Sequence, residues 1–309
     1  MTGISTFASH RILDWLLGRS NLTVPSTFFL ALSTTPLDND GIGATEPTDP
    51  AYSRMALPND KATFSTASSR SVRIIREFLW KASTVNWPRC THYLLYDSNV
   101  GGNIWFYGEL QGSIDVEIET SPLLEADVNE LAMDICGGST ADMSITTWAT
   151  NRILDHLFGR TPILTPPANW FVGVSTTPIS AEGIGYTEPT TAGYQRVQIP
   201  NNKNSFTMAA DKAVTLAQEF RFPKSGAPWG IQTHFFVTDA LTGDNIWWSG
   251  RLVHSRNVEV STTLALLPDG FNWILDSCVD QIGASGSIAP LAAGLQPLSG
   301  ANWNSRYWG

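Results

Sequence analysis

The chain has 309 residues, of which 42% are hydrophobic and 15% are charged, and its formal net charge is −9. Charged residues usually make up about 25% of a globular domain, and nucleic-acid binders carry basic surfaces, so we expect no nucleic-acid partner. No apolar run is long enough to span a bilayer, and residues 1–30 lack the pattern of an export signal. We therefore expect a soluble protein, made in a cytoplasm, with no membrane partner.

Aromatic residues are abundant, with 12 Trp, 14 Phe and 7 Tyr. This is more apolar surface than one monomer needs to bury, which favours a protein that is covered by partners. Three cysteines are too few for a disulfide framework. We interpret Cys90, Cys136 and Cys278 as buried free thiols, with an intersubunit disulfide as the alternative.

The first predicted element is an amphipathic helix from Ser5 to Arg19. Its apolar residues recur at helical spacing and include Ile12, Leu13 and Leu16, and Gly18 supplies a C-terminal cap. The same pattern returns before Gly159, so a helix opens each half of the chain.

Short strands follow the helix. The first covers residues 27–32, an apolar run bounded by Pro and Ser/Thr. Further strands are predicted at 72–78, 91–96, 103–107, 116–119 and 130–135. Residues 97–103 are interpreted as a hairpin turn, because Asp, Asn and Gly tolerate the positive φ of tight turns.

The segment 33–54 occurs twice. Its short motifs return in the same order in 175–196, always 142 positions later. They are Ser-Thr-Thr-Pro, Gly-Ile-Gly and Thr-Glu-Pro, followed by Tyr52 and Arg54. The register continues through most of the chain, which indicates a tandem duplication of a domain of about 140 residues. We predict that Glu46 pairs with Arg54, and Glu188 with Arg196, and that these pairs fasten the long loops.

The repeat ends near Cys278. Residues 280–309 are rich in Gly, Ala, Ser and Pro, and they end in an aromatic tip. A free tail of this composition should be disordered, so we predict that the tip docks on a neighbouring molecule. The predicted contact residues are Trp303, Arg306, Tyr307 and Trp308.

Candidate chemistry is sparse. His92 and His234 are matched by the repeat, but no Ser or Cys nucleophile accompanies both, so we interpret them as structural. Glu46 with Asp97, and Glu188 with Asp239, could form acid pairs of a glycosidase, although sequence does not reveal their separation. The sequence contains no Cys/His metal spacing and no phosphate-binding loop, and we predict no enzyme activity and no cofactor.

Sugar binding through exposed tryptophans is a separate alternative. The candidates are Trp80, Trp87, Trp105, Trp229, Trp247 and Trp248. Trp105 and Trp247 fall in predicted strands, where alternate residues face the core. We therefore favour core or interface packing for this set.

Each copy resembles a small repeated virion domain of tailed bacteriophages, usually labelled phage tail-fibre or minor structural protein. The second copy carries the resemblance most fully, from the helix end at Gly159 through Thr176-Thr177-Pro178 to the segment 245–250. Copy one departs from it locally, with Pro88 where copy two has Gly230. The resemblance does not extend to the tail.

The resemblance and the residues together predict a mainly β protein. It would have two tandem β-sandwich domains of jelly-roll or immunoglobulin-like type at 1–138 and 139–279, each opened by one amphipathic helix. An extended tail would follow at 280–309.

The resemblance implies a non-enzymatic virion protein in several copies, tail-associated in a fibre, baseplate or neck, and assembled in the host cytoplasm. Its partners would be other virion proteins and further copies of itself. The alternatives are a capsid decoration or head fibre, and a module that binds a host receptor or surface glycan.

Overall fold

The fold was established from a computed structural model that describes residues 2–38, 42–133, 143–160, 164–243, 245–268, 270–275 and 295–298. Copy one contains β1 (Thr2–Ile4), α1 (Thr6–Leu16), β2 (Thr27–Ser33), β3 (Met55–Pro58), β4 (Ser71–Arg73), β5 (Phe78–Leu79), β6 (Trp87–Tyr96), β7 (Ile104–Val116), β8 (Leu123–Leu124) and β9 (Glu130–Ala132). Copy two contains β10 (Met143–Ile145), α2 (Thr147–Leu157), β11 (Asn169–Ser175), β12 (Val197–Pro200), β13 (Ala213–Thr215), β14 (Phe220–Arg221), β15 (Gly230–Thr238), β16 (Ile246–Val258), β17 (Thr263–Leu266) and β18 (Asn272–Ile274). A last strand, β19 (Leu295–Leu298), pairs with β17.

The two helices lie where the sequence predicts them, although α1 ends at Leu16, three residues before the predicted end at Arg19. Ser5 caps α1 by accepting a hydrogen bond from the Ala8 amide, and Thr146 caps α2 in the same way. Gly18 and Gly159 follow the helix ends with φ of 65° and 62°. That left-handed conformation suits glycine and ends both helices.

A five-stranded antiparallel sheet forms the centre of each copy. Its strand order is β1-β7-β6-β2-β3 in copy one and β10-β16-β15-β11-β12 in copy two. The smaller pairs β4-β9 and β5-β8 complete copy one, and β13-β18 and β14-β17 are their equivalents. The mainly β architecture with two repeated units is therefore confirmed.

Several predicted strand bounds are wrong. Residues 72–78 form two short strands instead of one, because Ile74 N donates to Asn129 O while Ile75 N donates to Thr63 O. Adjacent residues thus turn towards different partners. Ile104 to Tyr107 and Val116 belong to one long strand, β7, because both pair with β6, whereas Asn103 and residues 117–119 lie outside it. Strand β1 was not predicted, since three residues are too short to show periodicity.

One buried apolar cluster extends through both copies. It includes Ile12 and Leu30 of copy one and Ile153 and Val172 of copy two. The sequence led us to expect two domains with separate cores, and the structure differs because each helix lies between its own sheet and the other copy. The predicted boundaries at 138 and 139 lie outside the described residues.

The outer face of the central sheet is covered by the loop that follows β2. In copy one a second apolar cluster contains Ala31, Leu94 and Tyr96, and Leu37 and Ala44 of the loop pack on it. The loop therefore serves as a second layer over the sheet. We therefore expect the contacts that attach this loop to the rest of the copy to keep the second layer in place.

Candidate functional site

The loop of copy one is held by a carboxylate shared between a tyrosine and an arginine. Glu46 Oε2 accepts from the Tyr52 hydroxyl at 2.9 Å, and Arg54 Nη2 donates to Glu46 Oε1 at 2.7 Å. The same guanidinium donates from Nη1 to the carbonyls of Ser98 and Gly101. The predicted pair therefore joins the loop to the hairpin turn between β6 and β7.

Copy two repeats the arrangement with a deeper arginine. Arg196 Nη2 lies 2.8 Å from Glu188 Oε2, and the Tyr194 hydroxyl donates to Glu188 Oε1 at 2.6 Å. The exposed fraction of the side chain is 4% for Arg196 and 10% for Arg54. Arg196 Nη1 also donates to the carbonyls of Ala240 and Gly243. The structure thus brings together all four residues of the two predicted pairs, and their fastening role stays a prediction that substitution can test.

The tyrosines of these sites are poor acids and bases. Burial raises the pKa of Tyr52 and of Tyr194, and the neighbouring carboxylate, Glu46 or Glu188, raises it further. A neutral hydroxyl that donates to a carboxylate positions the loop and offers no nucleophile. The arrangement is suited to holding backbone in place.

Asp49 is a fastening residue that sequence reasoning missed. Its carboxylate accepts from Trp87 Nε1 at 2.8 Å and from the Thr84 amide at 2.7 Å. Burial acts to raise the pKa of Asp49, but the hydrogen bonds from Thr84, Trp87 and Ala51 outweigh it and hold the pKa well below its usual range. The repeat has Thr191 at this position, so the duplicated pattern gave no signal.

The two histidines matched by the repeat lie on β6 and β15. His92 Nδ1 is 2.7 Å from the Thr91 hydroxyl, and His234 Nδ1 is 2.8 Å from the Thr233 hydroxyl. Burial lowers the pKa of both imidazoles. No nucleophile other than the neighbouring threonine is within hydrogen-bond distance of either Nδ1 among the described residues.

The candidate acids at the hairpin turns accept hydrogen bonds from tryptophans. Asp97 Oδ2 accepts from Asn103 Nδ2 at 2.9 Å and from Trp105 Nε1 at 3.4 Å. Asp239 Oδ2 accepts in the same way from Asn245 and Trp247. Asp97 and Asp239 therefore shape the turns.

The six tryptophans considered for sugar stacking are all buried. Their exposed fractions are 6% or less: Trp80, Trp87, Trp105, Trp229, Trp247 and Trp248. None presents a ring face to solvent, so a sugar platform made of these residues is excluded. The aromatic residues fill the shared core, and their abundance does not by itself require a covering partner.

The two copies contact each other through reciprocal hydrogen bonds at the helix ends. Asn59 Nδ2 donates to the Leu157 carbonyl and Asn201 Nδ2 donates to the Leu16 carbonyl, both at 2.8 Å. The contact is pseudo-symmetric, because Asn201 is the repeat equivalent of Asn59. No Cβ fits at Gly18 or Gly159, where it would meet the asparagine backbone of the other copy.

The helix sides add a second reciprocal pair. Asp155 Oδ1 accepts from the Ala67 amide at 2.7 Å, and Asp14 Oδ1 accepts from the Ala209 amide at 2.9 Å. Arg160 and Arg19 each donate to the carbonyl of the other copy's lysine, Lys61 and Lys203 respectively. Equivalent residues of the two copies thus make equivalent contacts across the interface between the copies.

An aromatic side chain of copy two completes the core of copy one. The Phe158 ring lies 4.6 Å from that of Phe64, 5.5 Å from Phe28 and 5.4 Å from Phe106, measured between centroids. Its repeat equivalent in copy one is the smaller Leu17, which is also fully buried. Copy two has the larger Trp170 and Trp248 where copy one has Phe28 and Phe106. The side chains at these three positions thus differ in size between the copies, and copy two has the larger one each time.

Other predicted features are only partly within the described residues. Cys90 is buried and forms no disulfide with a described residue, and burial, with a smaller effect of Asp115, raises its pKa to about 11. Cys136, Cys278, Trp303, Arg306, Tyr307 and Trp308 lie outside the described residues. Within the described ranges no cluster of His, Cys, Asp and Glu could hold a metal ion. Neither helix is long and apolar enough to cross a membrane.

A family model described as Podophage GP4 fiber I protein gp80 matches the chain twice, over residues 3–132 and over residues 144–271. The two matches are in tandem and correspond to the two structural copies. Together they cover most of the chain. No curated protein matches the sequence.

Proposed function

Because the chain belongs to the podophage GP4 fiber I protein gp80 family, we propose that it is a non-enzymatic structural component of a tailed-phage virion. The resemblance predicted from the repeated motifs is confirmed by this membership. The observation that carries the proposal is the tandem match itself, with one match to the family model in each copy.

The structure supports a scaffolding role. Two copies that share a core and exchange helix contacts form one stiff unit. The Glu46 and Glu188 sites fasten the long loops, and the candidate acids and histidines are engaged in structural hydrogen bonds. We infer that the chain works by shape and attachment, at a tail-associated position in several copies per particle. We retain the boundaries 1–138 and 139–279, and assembly in the host cytoplasm, as parts of the proposal.

Attachment is assigned to the C-terminal segment. Strand β19 pairs antiparallel with β17, with Leu295 opposite Leu266. This pairing supports the idea that the segment after residue 279 can join a sheet edge. We propose that the aromatic tip beyond it, with Trp303, Arg306, Tyr307 and Trp308, docks on a neighbouring virion protein.

The test uses the phage that encodes the chain. Particles from a complemented deletion would be purified with the wild-type chain, with the four tip residues changed to alanine, and with Ser305→Ala as the matched control. We expect the wild type and the control in the particles, and the tip variant folded but missing from them. A density map of the wild-type particle then locates the chain on the tail or on the head.

Two outcomes would count against the proposal in different ways. A wild-type chain that is absent from purified particles would refute the structural role. Equal incorporation of the tip variant would refute docking through the tip and leave the structural role standing. Density on the capsid would replace the tail assignment by the head-fibre alternative.

A further inference from the structure

The central sheet of copy two opens into a cavity where β16 bulges away from β15. Gln232 faces Arg256 and His234 faces Arg251, so Thr233 alone lies opposite the segment 252–255. A bulge of this kind leaves backbone and side chains of the longer strand outside the ladder. The resulting cavity has a volume of about 480 Å³ and is lined by Thr233, Arg251, Leu252, His254, Ser255 and Arg256.

The lining of this cavity is cationic and hydroxylated. It carries two guanidinium groups, one imidazole and two hydroxyl groups, and none of its lining residues is acidic. Leu252 is 2% exposed and offers almost no apolar surface. In a chain of net charge −9, this is a local concentration of positive charge.

Two pKa shifts accompany the cavity, and one of them includes an effect of its charge. Burial lowers the pKa of the Arg256 guanidinium. Burial also lowers the pKa of His234, and the charge of Arg251 lowers it further. Cations that line one cavity favour a negatively charged ligand.

Copy one shows that the bulge does not need these cations for its structure. There Cys90 faces Ile114 and His92 faces Glu109, so Thr91 again lies alone opposite the bulged segment. The residues that replace Arg251, His254 and Arg256 are Glu109, Gly112 and Ile114. The same backbone feature therefore exists with an acid at one of these three positions and a cationic side chain at none of them. The bulge itself therefore does not depend on the positive charges of copy two.

We propose that the bulge cavity of copy two binds the anionic group, carboxylate or phosphate, of an acidic saccharide on the bacterial surface. The guanidinium fork matches both oxyanions in geometry and charge. Ser255 can bond a sugar hydroxyl, and the volume lies within the usual range for small-ligand sites. A protein segment would be expected to bury apolar side chains, and this lining has almost none to receive them.

This proposal rests on the proposed function, because a virion component is exposed to the host surface. It adds a contact that the fastening sites do not make. The tryptophans play no part in it, since all six candidates are buried. Recognition is by charge and hydrogen bonds, so it should weaken as salt is raised.

The test is calorimetric titration of the full chain with glucuronate, inorganic phosphate and neutral glucose. The variant Arg251→Glu with Arg256→Ile carries the residues of copy one, which the same bulge accommodates. The control is Lys224→Glu, an exposed residue outside the cavity whose substitution changes the charge by as much as Arg251→Glu does. We expect an affinity for at least one anion that falls about ten-fold or more in the double variant and is unchanged in the control.

Each outcome decides the matter. Preference for glucuronate indicates a carboxylated sugar, and preference for phosphate indicates a phosphorylated one. Equal binding by the double variant, or equal binding of glucose, would overturn the proposal. Virions that carry the double variant should assemble normally and adsorb less to host cells. Failure of assembly in the wild type would instead refute the structural role.

Discussion

The imidazole of His156 lies stacked on the indole of Trp15, with ring centroids 4.7 Å apart and planes 10° apart. The two residues are equivalents in the repeat, one on each helix, at an offset of 141 positions. Equivalent residues touch each other only close to a symmetry axis. The pseudo-two-fold axis that relates the copies therefore passes beside this pair, and the chain is built like a symmetric dimer whose subunits have been joined.

The stack makes the stability of the protein dependent on pH. Burial lowers the pKa of His156, and its Nδ1 accepts a hydrogen bond from the Leu164 amide, which requires the neutral ring. The unfolded chain takes up the proton near pH 6.5 and the folded chain only at lower pH, so the unfolded state is favoured as pH falls. The stability from His156 is complete above about pH 6.5 and is lost towards the lower pKa of the folded state.

We expect the midpoint of thermal unfolding to fall between about pH 7 and pH 5, and to fall less in His156→Asn. Scanning calorimetry of both proteins across this interval provides the measurement. Part of the slope should survive in the variant, because burial also lowers the pKa of His92 and His234. If the midpoint of thermal unfolding depended on pH equally in the two proteins, protonation of His156 would not contribute to the pH dependence of stability.

The shared core predicts that both copies unfold together. Phe158→Ala removes a copy-two ring from among Phe28, Phe64 and Phe106 and should cost about 3–5 kcal/mol. Urea unfolding followed by tryptophan fluorescence should still show one transition, at a lower midpoint. Ile184→Ala is the matched control, since its side chain is 66% exposed. Two separate transitions in the wild type would contradict a common core.

A compensating pair of residues on the outer sheet face offers a rescue experiment. Gly173 lies opposite Phe236, and a Cβ at Gly173 would overlap that ring, whereas copy one has Ala31 opposite Leu94. We expect Gly173→Ala to lower the free energy of unfolding by about 1–3 kcal/mol. Adding Phe236→Leu should restore most of the loss, because it recreates the copy-one pair. A double-mutant cycle measures the coupling, and additive effects would rule it out.

The burial of the arginine predicts how much each fastening site contributes to the stability of the protein. Glu188→Gln removes the carboxylate that pairs with Arg196, whose side chain is only 4% exposed. The substitution should lower the free energy of unfolding by about 3–5 kcal/mol. Glu46→Gln should cost less, because Arg54 is more exposed at 10%. Arg89→Ala is the control, since it removes an exposed pair with Asp115 that should contribute about 1 kcal/mol or less.

The measurement for these three variants is equilibrium unfolding, together with limited proteolysis of the loop 176–193. Loosening of that loop should accelerate its cleavage in Glu188→Gln and leave the copy-one loop unaffected. If the two glutamate variants lost equal stability, burial of the arginine would not be the deciding factor. If neither loop became more sensitive, the pairs would not be fasteners.

Local features could be read from the chain because they depend on neighbours in sequence. The Ser5 and Thr146 caps, the positive φ at Gly18 and Gly159, and the turn after Asp97 follow from the chemistry of a few adjacent residues. The pairing of Glu46 with Arg54 was also accessible, since the repeat preserved both residues at the same spacing. Asp49 escaped notice because its partners Thr84 and Trp87 are far along the chain and Thr191 replaces it in copy two.

The sequence by itself determined the duplication, the mainly β class, the capped helices and the family. Only the tertiary structure decided that Phe158 enters the core of copy one, that the six tryptophans are buried, and that Arg251 and Arg256 share a cavity. The physical reason is that periodicity and turn chemistry act over a few residues, whereas burial depends on which distant surfaces meet. Contacts between the two copies join residues that are far apart in the sequence, so they produce no periodic pattern within either copy.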